Sequence, residues 1–317
     1  MKIIHAAREL QPGPRKVSLA IGFFDGVHLG HQQTIRRAIA DARQHDGLSL
    51  VVTFDRHPNA VVAPARAPPL IYSLTQKLRA ISALGADAVL LLYFDEPFSR
   101  QTGEEFVRGL ARDLGHILSI CVGAGFVFGY KRGGNAELLR RLGPELGFGV
   151  HAVASVSLDG QAVSSTRIRA AIRAGHLEAA SQMLGRPYSL AGEVIRGERL
   201  GRQLGFPTAN LDVRGLVLPP AGVYAAHALA GGRTYRAAVN IGTRPTLAEP
   251  VPQLRVEAHL LGFQGDLYGR EIELTFIEKL REERRFASLA ELRRQIAKDI
   301  EGLARAFDAP ARAPKPR

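Results

Sequence analysis

Cysteine is almost missing from this 317-residue chain: Cys121 stands alone. That excludes an internal disulfide and any site built on a pair of thiolates, structural zinc included. Aromatic residues make up only 7%, and no stretch interleaves them with Lys and Arg as a platform for stacked bases would. Long hydrophobic runs are absent too. The longest, such as AVLLLYF at 88–94, are strand-length and too short to span a bilayer. The opening stretch MKIIHAARELQPGPR carries charges throughout, so we expect no signal peptide and a cytoplasmic protein without a membrane partner. No Walker-type GxxxxGKS/T loop is present, and no internal repeat is found.

What the chain does have is glycine, proline and positive charge. The 33 glycines and 18 prolines call for many sharp turns, which suits ligand sites built from loops. The formal net charge of +12 points to nucleic acid or to anionic small molecules. Because the basic residues are spread along the chain, nucleic acid is not the expected main partner. Part of the excess lies in APARAPKPR, residues 309–317, which reads as a disordered tail. The length suits two domains, and a hydrophobic content of 46% supports a core in each.

The first half alternates between two patterns. Apolar strand candidates lie at 17–24, 48–54, 86–94, 116–123 and 148–155, with helical patterns at 31–44, 73–85, 102–115 and 135–147 between them. Pro144 should break the last of these near its end. Such alternation predicts an α/β domain with a parallel sheet wrapped by helices, and ligands in such sheets gather at the carboxyl ends of the strands. Two more helical segments follow, at 165–174 and 176–184. From about residue 186 helical periodicity stops, and short strands at 190–197, 222–230, 233–242, 253–262 and 270–280 predict a closed antiparallel barrel. A final helix over 288–307 has Ser288 as its N-cap and Glu291 completing a capping box. The expected division is therefore residues 1–185, residues 186–308, and the tail.

Four clusters carry chemistry. In GFFDGVHLGH (22–31) the strand ends at Gly22, Asp25 and Gly26 make a turn, and a helix begins near His28 and His31. Free N–H groups at a helix start attract anions, Gly30 leaves room for a close approach, and two imidazoles can donate to phosphate oxygens. A nucleotide phosphate, a simple cap or a metal would each use this spacing; the metal reading lacks a third ligand. In QAVSSTRIRAAIRAGH (161–176), Ser164, Ser165 and Thr166 precede Arg167, Arg169 and Arg173, either a second anion site or an N-cap with a solvated basic face. In GEVIRGERLGRQLGFPTANL (192–211), Gly197 and Gly201 fall in a glycine-rich loop, and Thr208 and Asn210 place a hydroxyl and an amide on one extended segment. These are hard oxygens suited to Mg²⁺ with a nucleotide, unless the region is only a glycine-rich turn. Glu257, in RVEAHLL, is a carboxylate in an otherwise apolar strand pattern. It either faces solvent or takes a proton from a hydroxyl.

Taken in this order over nearly the full length, the stretches FDGVHLGHQ, VSSTRIR, LGFPTANL, LPPAGVYA, VNIGTRPT, VEAHLL and GDLYGREI resemble the bacterial bifunctional riboflavin kinase/FAD synthetase family. The resemblance implies a nucleotidyltransferase-like, Rossmann-like amino-terminal domain that makes FAD from FMN and ATP. It also implies a six-stranded carboxy-terminal barrel, with its terminal helix, that first phosphorylates riboflavin to FMN. It assigns ATP binding in adenylyl transfer to Gly22, Phe23, Asp25, His28 and His31, partnered by Ser165, Thr166 and Arg169. It assigns Mg-ATP in the kinase to Thr208 and Asn210 with Gly197 and Gly201, and makes Glu257 the base for the riboflavin hydroxyl. Gly125 and Arg285, the latter in LREERRF (280–286), would face the flavin. Gly125 stands where the family commonly has an acid or amide and Phe23 where Asn is common, so the adenylyltransferase is expected to be the slower half; in the kinase half Gly262 stands where Asp is frequent. Two other readings are a kinase with weak or lost FAD synthetase activity and a basic RNA-binding protein on the same scaffold. No feature of the sequence sets an oligomeric state.

Overall fold

Apolar runs without polar alternation become strands covered on both faces, as a parallel sheet demands. The computed structural model describes residues 1–197, 201, 204–243, 254–284 and 286–308. They fall into two units: Met1–Ile168 with Met183–Gly185, and Arg169–Gln182 with the chain from Arg186 on. The expected tail, 309–317, lies outside the described residues.

In the first unit the strands are β1 (Lys2–Ile4), β2 (Val17–Ile21), β3 (Leu48–Phe54), β4 (Ala88–Leu92), β5 (Ile117–Gly123) and β6 (Gly149–Val153). Their order is β1-β4-β3-β2-β5-β6, and every pairing is parallel. Helices α1 (Leu29–Gln44), α2 (Leu74–Ser82), α3 (Gly103–Leu114) and α4 (Ala136–Leu146) connect them. Alternate strand residues serve opposite faces. Leu19, Ile21, Leu50 and Leu90 form one core with Val107, Leu110, Leu139 and Leu142 of α3 and α4. Ala20, Val51 and Val89 form the other with Ile35 and Ile39 of α1 and Ile81 of α2. Cys121 is buried in that second core, where burial, reinforced by the Asp41 charge, pushes its thiol up to about 12. It is a packing residue.

Chain order reverses direction between β2 and β5, so a crevice opens outside their carboxyl ends. Ser73 and Thr102 open α2 and α3 with reciprocal capping boxes to Gln76 and Glu105. Two expectations change. β1 is a further strand, with only three residues and an edge position in place of an apolar run. α4 continues through Pro144 to Leu146 and stops at Gly147, which takes the left-handed conformation at φ 77°. Pro144 sits near the helix end and costs a single helical bond, the one its missing N–H would give to the Arg140 carbonyl.

After a small hairpin, β7 (Ser157–Leu158) with β8 (Gln161–Ala162), come α5 (Ser165–Arg173) and α6 (Leu177–Leu184). The second unit is a closed barrel of β9 (Ser189–Ile195), β10 (Ala209–Asp212), β11 (Gly222–Ala230), β12 (Arg233–Thr243), β13 (Leu254–Leu260) and β14 (Glu271–Arg281), in the order β10-β13-β12-β11-β14-β9. All six pairings are antiparallel. The sixth strand, β10, comes from the segment read as merely extended. β11 and β12 turn through Gly231 and Gly232 with φ 56° and 79°, the double positive φ that a two-residue hairpin turn of matching twist requires.

The last helix, α7 (Leu289–Asp308), buries Leu303 and Ala306 against Ala225 of β11. Ser288 Oγ accepts from the Glu291 N–H at 3.2 Å, while Glu291 returns to the N–H of Ala287, one residue earlier than a capping box predicts. Arg281 grips Asp299 of α7 with two charge-assisted bonds, Nε–Oδ1 at 2.9 Å and Nη2–Oδ2 at 2.8 Å, and Asp299 is 8% exposed. Removing one partner of such a pair strands the other's charge. Asp299→Ala should cost about 2–4 kcal/mol, less than the full buried-pair value because Arg281 keeps some solvent. Urea unfolding of the full chain against wild type measures it; a change below about 0.5 kcal/mol would show that the fork does not hold the helix.

Candidate functional site

β2 leaves the sheet at Ile21, and the next six residues bend sharply. Phe24, Gly26 and Val27 all take positive φ, at 55°, 73° and 40°, which for Phe and Val costs on the order of 1–2 kcal/mol each. Asp25, 3% exposed, repays that strain. Its carboxylate accepts the N–H groups of Ile71 at 3.0 Å and Tyr72 at 3.3 Å. The Asp25 carboxylate therefore faces inward and shapes the turn. Gly22 and Gly30 likewise make room for protein groups: a Cβ on Gly22 would meet the Phe24 ring at 2.8 Å, and one on Gly30 would meet the His28 ring at 3.3 Å.

The turn delivers His28 as the N-cap of α1, in extended backbone at φ −69° and ψ 173°. Its Nδ1 accepts the His31 N–H at 3.4 Å, which places its own proton on Nε2. The two imidazoles stack with centroids 3.5 Å apart and planes 20° from parallel. A paired imidazole face thus lies on a helix N-terminus, where dipole and free N–H groups favour an anion. Ser165 is tied to the same turn, its Oγ donating to the Asp25 carbonyl at 3.2 Å. Ser164 caps α5 by accepting the Arg167 N–H. Arg167 itself holds the β7–β8 hairpin through the Leu158 and Gln161 carbonyls. Thr166 is exposed, and Arg169 is buried one turn further along α5.

Beside the turn lies a cavity of about 600 Å³ that sequence reading missed. Phe54, Phe94, Phe98, Phe106, Phe126 and Phe128 line it, joined by ring contacts with centroids 5.4–6.0 Å apart. These rings come from strand ends, loops and helices far apart in the sequence, Phe106 among them from α3, so no local pattern announces them. Phe23 also lines the cavity and meets His57 edge-on at 4.9 Å. Lys131 and Arg132 bring positive charge to its lining, both with positive φ, 53° and 60°. Their loop is closed at its base by reciprocal Phe128–Gly134 bonds of 2.9 and 2.8 Å and by the Tyr130 N–H on Gln101. Gly125 stands just outside this lining, with nothing within 4 Å of where its Cβ would be.

Lys77 of α2 was also missed. It is 4% exposed, and its ammonium donates to the Phe54 carbonyl at 2.6 Å and to the Phe23 carbonyl and Thr53 Oγ1 at 3.3 Å each. It also lies 4.5 Å from the centre of the Phe23 ring. Burial pulls it down to about 8, against the opposing pull of Asp25 and Asp55.

In the barrel unit, Glu257 of β13 pairs across the sheet with Asn210 of β10 on one side and with Asn240 of β12 on the other. The three form a polar row on the outer face, because Val256, Ala258 and Leu260 take the inward positions. A Cβ on Gly197 would fall on the Asn210 amide, and one on Gly201 would meet Thr208 Oγ1 at 3.2 Å. Gly197, Gly201, Thr208, Asn210 and Glu257 are thus brought together. His259, two residues beyond Glu257, joins its Nδ1 to the Pro207 carbonyl at 2.8 Å and holds the start of that segment. A Cβ on Gly242 would overlap the Glu283 carboxylate, which brings Glu283 against β12. Arg285 lies outside the described residues. Among those described, no group of three His, Cys, Asp or Glu could hold a metal, and no helix is long and apolar enough to cross a membrane.

The fold and these two constellations define a nucleotide-handling protein with separate α/β and barrel sites. The family model for FAD synthetase matches residues 10–167, and that for riboflavin kinase matches residues 184–307. Curated proteins named bifunctional riboflavin kinase/FMN adenylyltransferase are similar over nearly the whole chain. The Escherichia coli protein is 38% identical, covering 94% of this chain and 96% of its own length. The Pseudomonas fluorescens protein is 38% identical over 98% and 99%. The chain belongs to the bifunctional riboflavin kinase/FMN adenylyltransferase family. A crystal structure described as a macrolide-efflux protein from Streptococcus pneumoniae is 28% identical, with a TM-score of 0.79 over 96% of this chain and 99% of that one.

The strained turn makes its own test. Asp25→Ala leaves the buried N–H groups of Ile71 and Tyr72 without their acceptor, at an expected cost of about 2–4 kcal/mol. Chemical denaturation of the variant should show that loss. A variant as stable as wild type would mean that the turn holds itself.

Proposed function

We propose that this chain makes FMN and then FAD: it phosphorylates riboflavin with ATP on the barrel unit, and adenylylates FMN with release of pyrophosphate on the parallel-sheet unit. The observation that carries the reading is the aromatic cavity beside the histidine turn. Its phenylalanine walls suit a flat isoalloxazine ring, Lys131 and Arg132 suit the FMN phosphate, and Phe23 borders both cavity and turn. In adenylyl transfer an FMN phosphate oxygen attacks the α-phosphorus of ATP and the bond to pyrophosphate breaks. His28 and His31, on the α1 N-terminus, are placed to donate to the charge that grows there. Ser165, Thr166 and Arg169 are proposed as the partner site from α5.

In the kinase step Glu257 takes the proton of the riboflavin 5′-hydroxyl, whose oxygen attacks the γ-phosphorus as ADP leaves. Mg²⁺ bound with the nucleotide would neutralise phosphate charge. The Thr208 hydroxyl and Asn210 amide oxygen are the hard donors for it, and the cross-strand pairing of Asn210 with Glu257 sets those donors beside the base. Arg285 is proposed to face the flavin. We place the protein in the cytoplasm, where both steps find ATP, and residues 1–185 and 186–308 are the proposed functional divisions.

Two substitutions separate the halves. Glu257→Gln keeps size and removes the base, so riboflavin phosphorylation should fall about 10²–10⁴-fold while FAD formation from supplied FMN persists. Near-normal kinase turnover would sink the assignment. Gly125 has open space where a side chain would go, so Gly125→Asn should fold without clash and restore a hydrogen-bonding group at the flavin site. FMN adenylylation should then rise by roughly tenfold, with kinase activity unchanged. If the variant folds and adenylylates more slowly, glycine is the residue this site requires.

A further inference from the structure

We propose that Lys77 is a positioning residue for adenylyl transfer: its buried ammonium ties the carboxyl ends of β2 and β3 together and holds Phe23 as the wall between the aromatic cavity and the histidine turn. The inference rests on the reading of the first unit given above and extends it to a residue that touches neither substrate.

The geometry is specific. The ammonium reaches the Phe23 carbonyl beyond β2, and the Thr53 hydroxyl and Phe54 carbonyl at the end of β3. Thr53 Oγ1 also donates to the Phe23 carbonyl at 3.0 Å, so the two strand ends are joined twice. The same charge covers the Phe23 ring at 4.5 Å, within the range of a cation–π attraction. All three of its hydrogen-bond partners are neutral oxygens, which return less than a carboxylate would for taking a charge out of water.

The carboxylates that face it are engaged elsewhere. Asp25 accepts the Ile71 and Tyr72 N–H groups, and Asp55 accepts the Phe94 N–H and pairs with Arg56 at 2.8 Å. An apolar side chain would fill the place at lower cost. What the charge adds is a fixed Phe23, and with it a fixed boundary between the proposed flavin and phosphate positions.

Function and stability should then respond to pH in opposite directions. The group sits near 8 in the folded chain and near 10.5 when exposed. Between those values the unfolded chain binds more protons than the folded one, so this group adds stability as pH rises through the window. FMN binding should do the reverse, because the neutral amine loses one donor and its attraction to the ring. If binding follows the protonated fraction, affinity weakens about tenfold from pH 7 to pH 9.

The experiment uses the full-length protein. FMN affinity is read by flavin fluorescence, and FAD formation from FMN and Mg-ATP by chromatography, from pH 7 to 9.5 in wild type and Lys77→Met. Wild type should show the tenfold loss of FMN affinity while riboflavin phosphorylation keeps its own profile, and Lys77→Met should bind FMN weakly at every pH, about tenfold or more below wild type at pH 7. A flat wild-type affinity between pH 7 and 9, or a folded Lys77→Met within twofold of wild type, overturns the proposal. If Lys77→Met does not fold, the wild-type profile alone decides. A wild type that binds FMN with the expected pH dependence yet makes no FAD would contradict the proposed reaction and leave the role of Lys77 in holding the cavity standing.

Discussion

Asp25 keeps its carboxylate in the dry interior by taking backbone N–H groups from Ile71 and Tyr72, and the arrangement of the sheet's carboxyl edge follows from that bond set. It holds three positive φ values within four residues, a conformation whose strain has to be offset by the surrounding structure. Because the chain turns back so tightly, Phe23 faces the cavity while His28 arrives as a helix cap only five residues later. The Asp25 carbonyl then anchors Ser165. A single buried carboxylate thus links the end of β2, the start of α1 and the start of α5.

The two sites solve different electrostatic problems. Adenylyl transfer must gather two phosphorylated molecules, and its unit places cationic and N–H-rich groups around an apolar cavity: the α1 N-terminus, Lys131, Arg132 and the buried Lys77. Phosphorylating a hydroxyl needs a base instead, the role proposed for Glu257, which pairs across the sheet with Asn210 and Asn240. The net charge of +12 agrees with anionic small molecules as partners for both.

Much of the fold was legible because its strands are uninterrupted apolar runs and its helices carry a clear 3.6-residue face. β1 was not, since three residues hold no period and only pairing with β4 makes them a strand. β10 was hidden inside a glycine- and proline-rich loop. At the sites, Glu257, Thr208 and Asn210 stood out as polar groups in strand-like segments. Asn240 required the barrel register, and the phenylalanine cavity required the whole sheet, because its rings come from positions 23 to 128. Lys77 lies in an amphipathic helical pattern that carries no local sign of burial; the packing of α2 against the strand ends is what buries it. Gly30 suggested room for a phosphate, and in the structure that room belongs to the His28 ring.

The central claim is that one chain carries both reactions in series. Purified full-length protein incubated with riboflavin and Mg-ATP, sampled over time and resolved by chromatography, tests it directly. The account predicts that FMN appears first and is then converted to FAD. FMN that accumulates without any FAD, or riboflavin left unchanged, would contradict it.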